Sequence, residues 1–405
     1  MKNINPSRLF LASCMALVTT AMTFAIRAGL LGSWETQFGL TKEQVGTITS
    51  MAFYGFPVAT VFGGLLVDKI GIRNLLIIAF VSHILGIVLT ITASSYLLLA
   101  ISTFFIGFAN GSVEAACNPM VTGLYTENKT TMLNRFHVWF PGGIMIGAIL
   151  ATILIKMGID WRGQVAIILI PTFIYGYLFW NEAFPVTERV ASGVSLNGMV
   201  KAVFGSPLFY FLAFCMILTA NTELSTGQWI GSLLGKVIAY PLLILALING
   251  IMAVGRFTAG SVIHRLNPVG TLWVSSILAT IGLYWLSAAQ GFVVIPAAAV
   301  FAVGVCYFWP TLLGYLNEQL PESGALGLSL LGGIGMLATG MMQSVIGKWY
   351  DQNLATAQAT TTDIDAANLI AGQSTLSTVA ILPVILIVAF GILYFMTKGK
   401  TVVLK

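Results

Sequence analysis

Charged residues are scarce in this sequence of 405 residues. Asp, Glu, Lys and Arg make up 8% of the chain, whereas hydrophobic residues make up 57%. A soluble domain carries about 25% charged residues, because its surface must be solvated. The scarcity therefore excludes a soluble enzyme, a secreted disulfide scaffold and a disordered chain. Since a membrane-spanning helix needs about 20 apolar residues, the mean hydropathy of +0.92 is typical of a polytopic membrane protein.

Cysteine and histidine are also rare, with four Cys and three His. The cysteines all fall inside apolar segments, without a CxxC pair or a nearby His at metal-ligand spacing, so neither a disulfide framework nor a metal site is expected. The sequence has no phosphate-binding loop and no nucleophile triad, so we expect no cofactor, no catalytic residues and no enzyme. The net charge of +5 is spread over short loops, which does not favour nucleic-acid binding. The four cysteines are Cys14, Cys117, Cys215 and Cys306.

Twelve long apolar runs are separated by short polar breaks. Backbone inside a membrane must satisfy its own hydrogen bonds, so these runs predict helices. The predicted fold class is an all-α polytopic membrane protein with twelve transmembrane helices in two six-helix bundles. The runs lie at 8–33, 43–67, 74–94, 96–125, 135–157, 163–183, 206–235, 239–263, 269–289, 292–316, 325–349 and 376–397.

The basic residues predict the orientation of the chain. With the N-terminus inside, twelve Lys and Arg fall in inner loops or termini and five in outer loops. Basic residues favour the cytoplasmic side, so we expect a multi-pass protein of the cytoplasmic (inner) membrane with both termini in the cytoplasm. The polar stretch 184–205 follows the sixth run. It predicts a cytoplasmic linker between an N-terminal bundle at 1–183 and a C-terminal bundle at 206–405.

The two halves contain related motifs at similar spacing. Segment 64–69 leaves the second run and segment 260–265 leaves the eighth, with an offset of 196. The fourth run contains an Asn-Pro pair at 118–119 and the tenth a Trp-Pro pair at 309–310, with an offset of 191. These offsets suggest a parallel repeat of six plus six helices, which is the architecture of the major facilitator superfamily.

The loop between the second and third runs resembles the signature of that superfamily, G-x-x-x-D-R/K-x-G-x-R/K. Its residues here are Gly64, Asp68, Lys69, Gly71 and Arg73. Glycines let helices approach closely, and Asp68 can pair with cations or cap a helix end. The resemblance implies that this loop governs the interconversion of conformational states.

The fourth run points to a subfamily. Its stretch 114–122, EAACNPMVT, resembles the E-x-A-A-N-P-x-V-T stretch of the fucose–galactose–glucose:proton symporter (L-fucose permease-like) family. The resemblance implies a role for Glu114 in the sugar and proton machinery. The helix 1 aspartate of that family has no counterpart here, because the first run contains no acid and Arg27 is the only charge in its interior. The polar residues of its helix 5 are replaced by the run 136–143.

Four charged residues lie well inside apolar runs, away from their ends: Arg27, Glu114, Glu223 and Arg256. A charge at the bilayer centre costs about 2.5–3.5 kcal/mol on insertion scales, so each is a functional hypothesis. In the superfamily, helices 1, 4, 7 and 10 line the central cavity. We therefore expect Glu114 and Glu223 to couple to protons. Two interpretations of Arg27 remain open, a bridge between the two acids and a grip on an acidic substrate.

Polar and aromatic residues of the same runs complete the candidate substrate site. Asn118 lies one turn after Glu114 on the same helix face, and aromatic rings suit the C–H face of a sugar. A Trp at a helix end is often an interfacial anchor, and both His137 and His83 fit structural roles as well. The expected substrate-binding residues are Arg27, Glu114, Asn118, His137, Trp139, Glu223, Gln228, Trp229, Tyr307 and Trp309.

These features together predict a secondary active transporter. The expected activity is proton-coupled symport of a sugar or sugar-like small molecule, with a sugar acid as the less favoured substrate. Its expected partners are the small-molecule substrate, protons and the lipid bilayer, and a monomer is expected. Proton-antiport efflux of a drug or metabolite is the main alternative. An intramembrane lipid-modifying enzyme that uses Glu114 and His137, or a transporter-like nutrient sensor, fits the sequence less well.

Overall fold

The structure of the protein is a computed structural model that describes residues 4–125, 129–185 and 196–397. Within these ranges, eleven helices are long and apolar enough to cross a membrane, and a shorter apolar helix of 17 residues lies where the eighth run predicts one. In chain order the helices are α1 (Pro6–Phe38), α2 (Lys42–Gly63), α3 (Lys69–Ile91), α4 (Tyr96–Leu124), α5 (Arg135–Lys156), α6 (Trp161–Phe179), α7 (Pro207–Leu233), α8 (Pro241–Phe257), α9 (Arg265–Ala288), α10 (Gly291–Gln319), α11 (Leu326–Gln358) and α12 (Ile364–Thr397).

The all-α fold class is confirmed, and the main differences from the sequence lie at the last two helices. α11 continues to Gln358 and α12 begins at Ile364, whereas the apolar runs end at 349 and begin at 376. The stretch 350–363 contains neither Gly nor Pro, so nothing stops the helix at the end of the apolar run. The Asp363 carboxylate accepts a hydrogen bond from the backbone N–H of Asp365 at 2.9 Å and so caps α12. Capping, rather than hydropathy, sets this boundary.

The repeat extends to a backbone detail that the motifs do not reveal. A kink near the start of α3 lies at Gly71, with φ 83° and ψ 155°. The matching kink near the start of α9 lies at Asn267, 196 positions later, with φ 57° and ψ 166°. Asn tolerates positive φ better than most residues other than Gly, so it replaces the glycine of the first half.

The signature loop and the linker are described only in part. Lys69, Gly71 and Arg73 are exposed, while Gly64 and the side chain of Asp68 lie outside the described residues. The predicted role of this loop therefore stays a prediction. In the linker, Leu196–Gly205 forms a short helix, and residues 186–195 also lie outside the described ranges.

His83 of α3 belongs to a buried network among the first six helices. Its Nδ1 lies 2.9 Å from the hydroxyl of Tyr175, and its Nε2 lies 2.8 Å from Oδ1 of Asn110. Asn110 in turn donates to Thr23 of α1 at 2.9 Å. The network links α1, α3, α4 and α6 and satisfies the polar groups that packing buries. This accounts for His83 as a structural residue.

Glycines bring the backbones of α2 and α4 into direct contact. A Cβ at Gly107 would lie 1.9 Å from the carbonyl oxygen of Ala52, and one at Gly111 would lie 2.2 Å from that of Phe56. α9 and α10 meet in the same way, since a Cβ at Gly304 would lie 2.3 Å from the backbone nitrogen of Ala279. Small residues that allow such approach are the usual means of helix association in membranes.

The two halves of the chain meet tightly where α2 begins and α11 ends. We call this the distal end, because it lies opposite both chain termini. Ser50 donates a hydrogen bond to the Gly340 carbonyl at 2.6 Å. A Cβ at Gly347 would lie 2.3 Å from the Lys42 carbonyl, whereas one at Gly333, nearer the chain termini, would lie 3.8 Å from Pro57. The distal end is therefore closed, and α2 and α11 diverge away from it.

Asp351 of α11 stabilises this distal contact by binding the start of α2, an interaction that we call the latch. Its carboxylate accepts hydrogen bonds from the backbone N–H groups of Lys42 at 3.3 Å and Glu43 at 3.0 Å. These are the first two residues of α2. These N–H groups have no partner within the helix, and the positive end of the helix dipole favours a carboxylate. An acid from the second half therefore caps a helix of the first.

Replacing Asp351 with Asn is expected to loosen the distal end. A helix N-terminus favours a charge by about 0.3–1 kcal/mol, so the open population should rise about two- to five-fold. The measurement is the labelling rate of a cysteine introduced at Thr49, a buried α2 residue near the latch, by a membrane-impermeant maleimide. Asp363→Asn is the matched control, because Asp363 caps α12 within one half. Equal labelling rates in both variants would contradict the latch.

Candidate functional site

α1 and α7 cross between the two halves, and a buried arginine lies at the crossing. Arg27 is 4% exposed and donates from Nε to Oε1 of Gln228 at 2.8 Å. Gln228 in turn donates to the Phe24 carbonyl at 3.1 Å. Gln228 thus forms two hydrogen bonds with α1. These bonds orient the guanidinium and join the two halves of the chain.

Two aromatic rings also lie close to the guanidinium of Arg27. The guanidinium carbon lies 4.9 Å from the centre of the Phe24 ring and 5.5 Å from that of Phe53. These are cation–π distances, which partly offset the loss of water around the charge. Nη2 of Arg27 is nevertheless buried without a hydrogen-bond partner among the described residues.

The bridge from Arg27 to the two acids, one of the interpretations of the sequence, is not formed in this structure. Among the described residues, the ion-pair partner of Glu223 is Arg256, at 2.9 Å between Oε1 and Nη2. The side chains of this pair are 8% and 12% exposed. A buried pair of this kind neutralises two charges within the second half, so Arg27 is left without a carboxylate among the described side chains.

Local backbone distortions position the Glu223–Arg256 pair. Glu223 lies in a π-helical turn of α7, Asn221–Ser225, which inserts an extra residue into the helix. Arg256 also donates from Nε to the carbonyl of Cys306 at 3.1 Å. That carbonyl lacks its usual helical partner, because Pro310, four residues later, has no N–H. The pair therefore joins α7, α8 and the break in α10.

The sequence contains a signal for this turn that hydropathy reading misses. The letters NTELS at 221–225 place four polar residues within five positions of an apolar run. Within the turn Ser225 donates to Oδ1 of Asn221 at 2.9 Å, and Gln343 of α11 donates to Ser225 at 3.0 Å. Such π-helical turns frequently occur at functional sites.

Glu114 and Asn118 meet on one face of α4, as their spacing predicts. Asn118 donates from Nδ2 to Oε2 of Glu114 at 2.8 Å, and both side chains are half-buried. Oδ1 of Asn118 is buried without a partner in the described part of the chain. Pro119 leaves the Ala115 carbonyl without its helical N–H. This face thus offers a carboxylate and an amide oxygen to a solute or a proton.

His137 lies within electrostatic range of a charge from each half. It lies in the first turn of α5, it is half-buried, and both Glu114 and Arg256 act on it electrostatically. Its ring stacks edge-on against Phe136, with 5.0 Å between ring centres. His137 is therefore an α5 side chain near a charge of α4 and a charge of α8.

The structure separates the expected aromatic residues. Trp229 is fully buried beside Gln228, and its Nε1 has no partner among the described residues. Tyr307 is buried near the end of α8. Trp309 is half-buried and packs on Gly335 of α11, where an added Cβ would lie 3.1 Å from the indole ring. Trp139 is 43% exposed. Their roles in substrate binding stay predictions.

A small cavity of about 30 Å³ lies between the halves. Residues of both halves line it, and its polar side chains come from the second half. A water molecule needs at least about 10–15 Å³ of such space, so the cavity holds about two waters rather than a sugar. The helices around it must separate to admit a larger solute. Its lining includes Phe24, Ile144, Glu223, Gln228, Asn249 and Phe301.

Comparison with solved structures identifies the fold. A bacterial homologue of the human lysosomal transporter Spinster, crystallised inward-facing and unoccupied, superimposes with a TM-score of 0.78 at 13% identity, covering 96% of each chain. A D-xylose–proton symporter gives a TM-score of 0.75 at 14% identity, covering 93% of this chain and 96% of the other. The fucose–proton symporter of Escherichia coli gives 0.59 at 17% identity, covering 93% and 98%.

Sequence relatives match over shorter stretches. The cis,cis-muconate transport protein of Acinetobacter baylyi is 25% identical over 167 residues, 41% of this chain and 40% of that protein. The L-fucose–proton symporter of E. coli is 27% identical over 139 residues, 33% and 32% of the two chains, which confirms the resemblance seen in α4. The matched stretches thus cover less than half of either relative. The family model of the Major Facilitator Superfamily, however, matches residues 9–342, and the chain is therefore a member of that superfamily of membrane transporters.

Proposed function

We propose that the protein is a secondary active transporter that moves a small, sugar-like polar solute together with protons. The observation that carries this proposal is the set of buried polar and charged groups where α1 crosses α7 between the two halves. On one side of these groups, the halves are closed at the distal end. Relatives named as an L-fucose–proton symporter and a D-xylose–proton symporter support the proton-coupled class. Its substrate-binding residues are those expected from the sequence, centred on Arg27 and Gln228.

Alternating access follows from the contacts between the halves. The bundles 1–183 and 206–405, joined by the linker 184–205, would rock about the α1–α7 crossing. We propose that the protein is a monomer in the inner membrane, with both termini in the cytoplasm. The distal end, which lies opposite the termini, then faces outward. The structure then corresponds to an inward-facing state, which opens outward when the Asp351 latch breaks.

Glu114 is the better candidate of the two proton-coupling acids. Arg256 compensates the charge of Glu223, whereas no described basic side chain forms a salt bridge with Glu114, whose hydrogen-bond partner is a neutral amide. Glu114 is also half-buried on the side toward which α2 and α11 diverge. An acid that is neither paired nor fully buried can exchange a proton as the cavity opens and closes.

Replacing Glu114 with Gln is expected to abolish uphill accumulation and to leave exchange at equilibrium partly intact. The amide keeps the shape and the hydrogen bond to Asn118 but cannot carry a proton. Labelled solute and proton uptake would be measured together in proteoliposomes, with and without a pH gradient. The solute would come from a thermal-shift screen of sugars, sugar acids, nucleosides and amino acids, since a ligand stabilises the state that binds it.

Two comparisons sharpen this experiment. Glu223→Gln tests the second acid, and Glu43→Gln tests an exposed acid outside the site. Accumulation by the Glu114→Gln protein at the wild-type proton stoichiometry would make the proton assignment wrong. Proton movement opposite to the solute would replace symport with antiport.

A further inference from the structure

We propose that the transported solute carries a carboxylate, and that Arg27 binds it. This inference rests on the proposed transport function and names its substrate class as hydroxylated carboxylic acids, such as the uronates. Arg27 lies at the α1–α7 crossing, where the solute would pass between the halves. The reasons are the uncompensated charge of Arg27, the contacts of its guanidinium and the polar atoms nearby that have no described partner.

The charge at the crossing is not compensated. Arg27 is 4% exposed, yet no described acid forms an ion pair with it. Glu223 is engaged by Arg256, and Glu114 by the amide of Asn118. A buried charge is costly unless it is paired. An anionic solute supplies the missing charge, whereas a neutral sugar leaves the cost in place.

The contacts of Arg27 leave one edge of its guanidinium available. Gln228 accepts the hydrogen bond from Nε–H, and the guanidinium carbon lies over the Phe24 and Phe53 rings. Nη2 is buried without a partner among the described residues. The fork of N–H groups on a guanidinium matches the two oxygens of a carboxylate. Gln228 and the rings thus hold Arg27 ready for such a ligand.

Neighbouring polar atoms suit the hydroxyl groups of the same solute. Within one turn of Gln228 on α7, Oγ1 of Thr226 and Nε1 of Trp229 are both buried without described partners. Native structures rarely leave such groups unsatisfied. Gln228 and Phe24, which both contact Arg27, also line the small cavity between the halves. The amide of Asn249 also lines this cavity, so a solute entering as the cavity widens would meet the amides of Gln228 and Asn249 beside the guanidinium.

Thermal-shift titration of the purified full-length protein tests the proposal. The probes are D-glucuronate and D-galacturonate, with D-glucose and D-galactose as neutral counterparts of the same ring shape. We expect a saturable rise of several degrees in the unfolding midpoint with a uronate, and none with its neutral counterpart. D-Glucuronamide, which keeps the shape without the charge, should behave as the neutral sugars do.

Variants of Arg27 separate binding from structure. Arg27→Gln should abolish the uronate shift, and Arg27→Lys, which keeps the charge without the fork, should weaken binding at least about ten-fold. Without ligand, Arg27→Gln should unfold at or above the wild-type midpoint, because an uncompensated charge is removed. A purely structural arginine would lower that midpoint instead. Arg162→Gln is the matched control, an arginine over the Trp161 ring whose loss should leave the uronate shift unchanged.

The outcomes distinguish this proposal from the proposed function. A neutral hexose that binds and is accumulated, while the uronates do neither, overturns the carboxylate and keeps the transporter. An unchanged uronate shift in Arg27→Gln also overturns the proposal, because another group would then bind the acid. Uronate binding without any uptake into proteoliposomes, by contrast, supports the carboxylate site and contradicts the transport function.

Discussion

Replacing Arg256 with Met is expected to destabilise the protein by about 3–5 kcal/mol, the usual cost of breaking a buried ion pair. Glu223 would remain as a buried carboxylate without its cation, and the Cys306 carbonyl would lose the donor that replaces the missing N–H of Pro310. The unfolding midpoint and the yield of monodisperse protein in detergent measure the effect. A large drop in both is the expected result.

Two further variants test the physical reason. Glu223→Met combined with Arg256→Met should recover most of the stability, because both charges are then absent. Lys236→Met is the control, since it breaks a 2.6 Å pair with Asp365 whose side chains are 47% and 72% exposed. An exposed pair contributes at most about 1 kcal/mol. If Arg256→Met costs no more than Lys236→Met, the pair does not hold α7, α8 and α10 together.

Replacing Gly107 with Ala is expected to destabilise the first half by at least about 3 kcal/mol, at the upper end of overpacking effects. The new Cβ would lie 1.9 Å from the Ala52 carbonyl oxygen, which belongs to backbone and cannot rotate away. The helices α2 and α4 would have to separate along their length. The adjoining close contact at Gly111 would then open as well.

Gly142→Ala is the matched control for Gly107→Ala. Gly142 is also a helical glycine, but a Cβ there would meet no atom within 4 Å. Alanine is the better helix former by up to about 1 kcal/mol, so this variant should be neutral or slightly stabilising. Opposite effects in the two variants, measured as unfolding midpoints, are the expected result. Equal midpoints would show that α2 and α4 do not pack as closely as described.

The sequence was sufficient for the features that depend on local chemistry. Apolar runs of membrane length predicted the twelve helices, because a buried backbone must form its own hydrogen bonds. The Glu114–Asn118 contact followed from spacing, since residues four apart share a helix face. The loop signature and the stretch at 114–122 indicated the superfamily, which the match over residues 9–342 confirms.

Tertiary structure alone decided which buried charges meet. Arg27 binds Gln228, 201 positions away, and Glu223 binds Arg256. Hydropathy indicates how deep each residue lies in the membrane. It does not indicate how each helix is rotated about its own axis, which decides the neighbours that a side chain meets. The π-helical turn at Asn221–Ser225 changes that rotation by about 100° for the residues beyond it.

The same reason explains the distal latch and the glycine contacts. Asp351 lies in a polar stretch that the sequence assigns to a loop, and only the packing of α11 on α2 brings it to the N-terminus of the other helix. Gly107 and Gly142 look alike in sequence, yet a Cβ added at Gly107 would meet a neighbouring backbone, whereas one added at Gly142 would meet no atom within 4 Å. Helix formation is a local property of the sequence, whereas close approach depends on two surfaces that are distant in the chain and fit together only after folding.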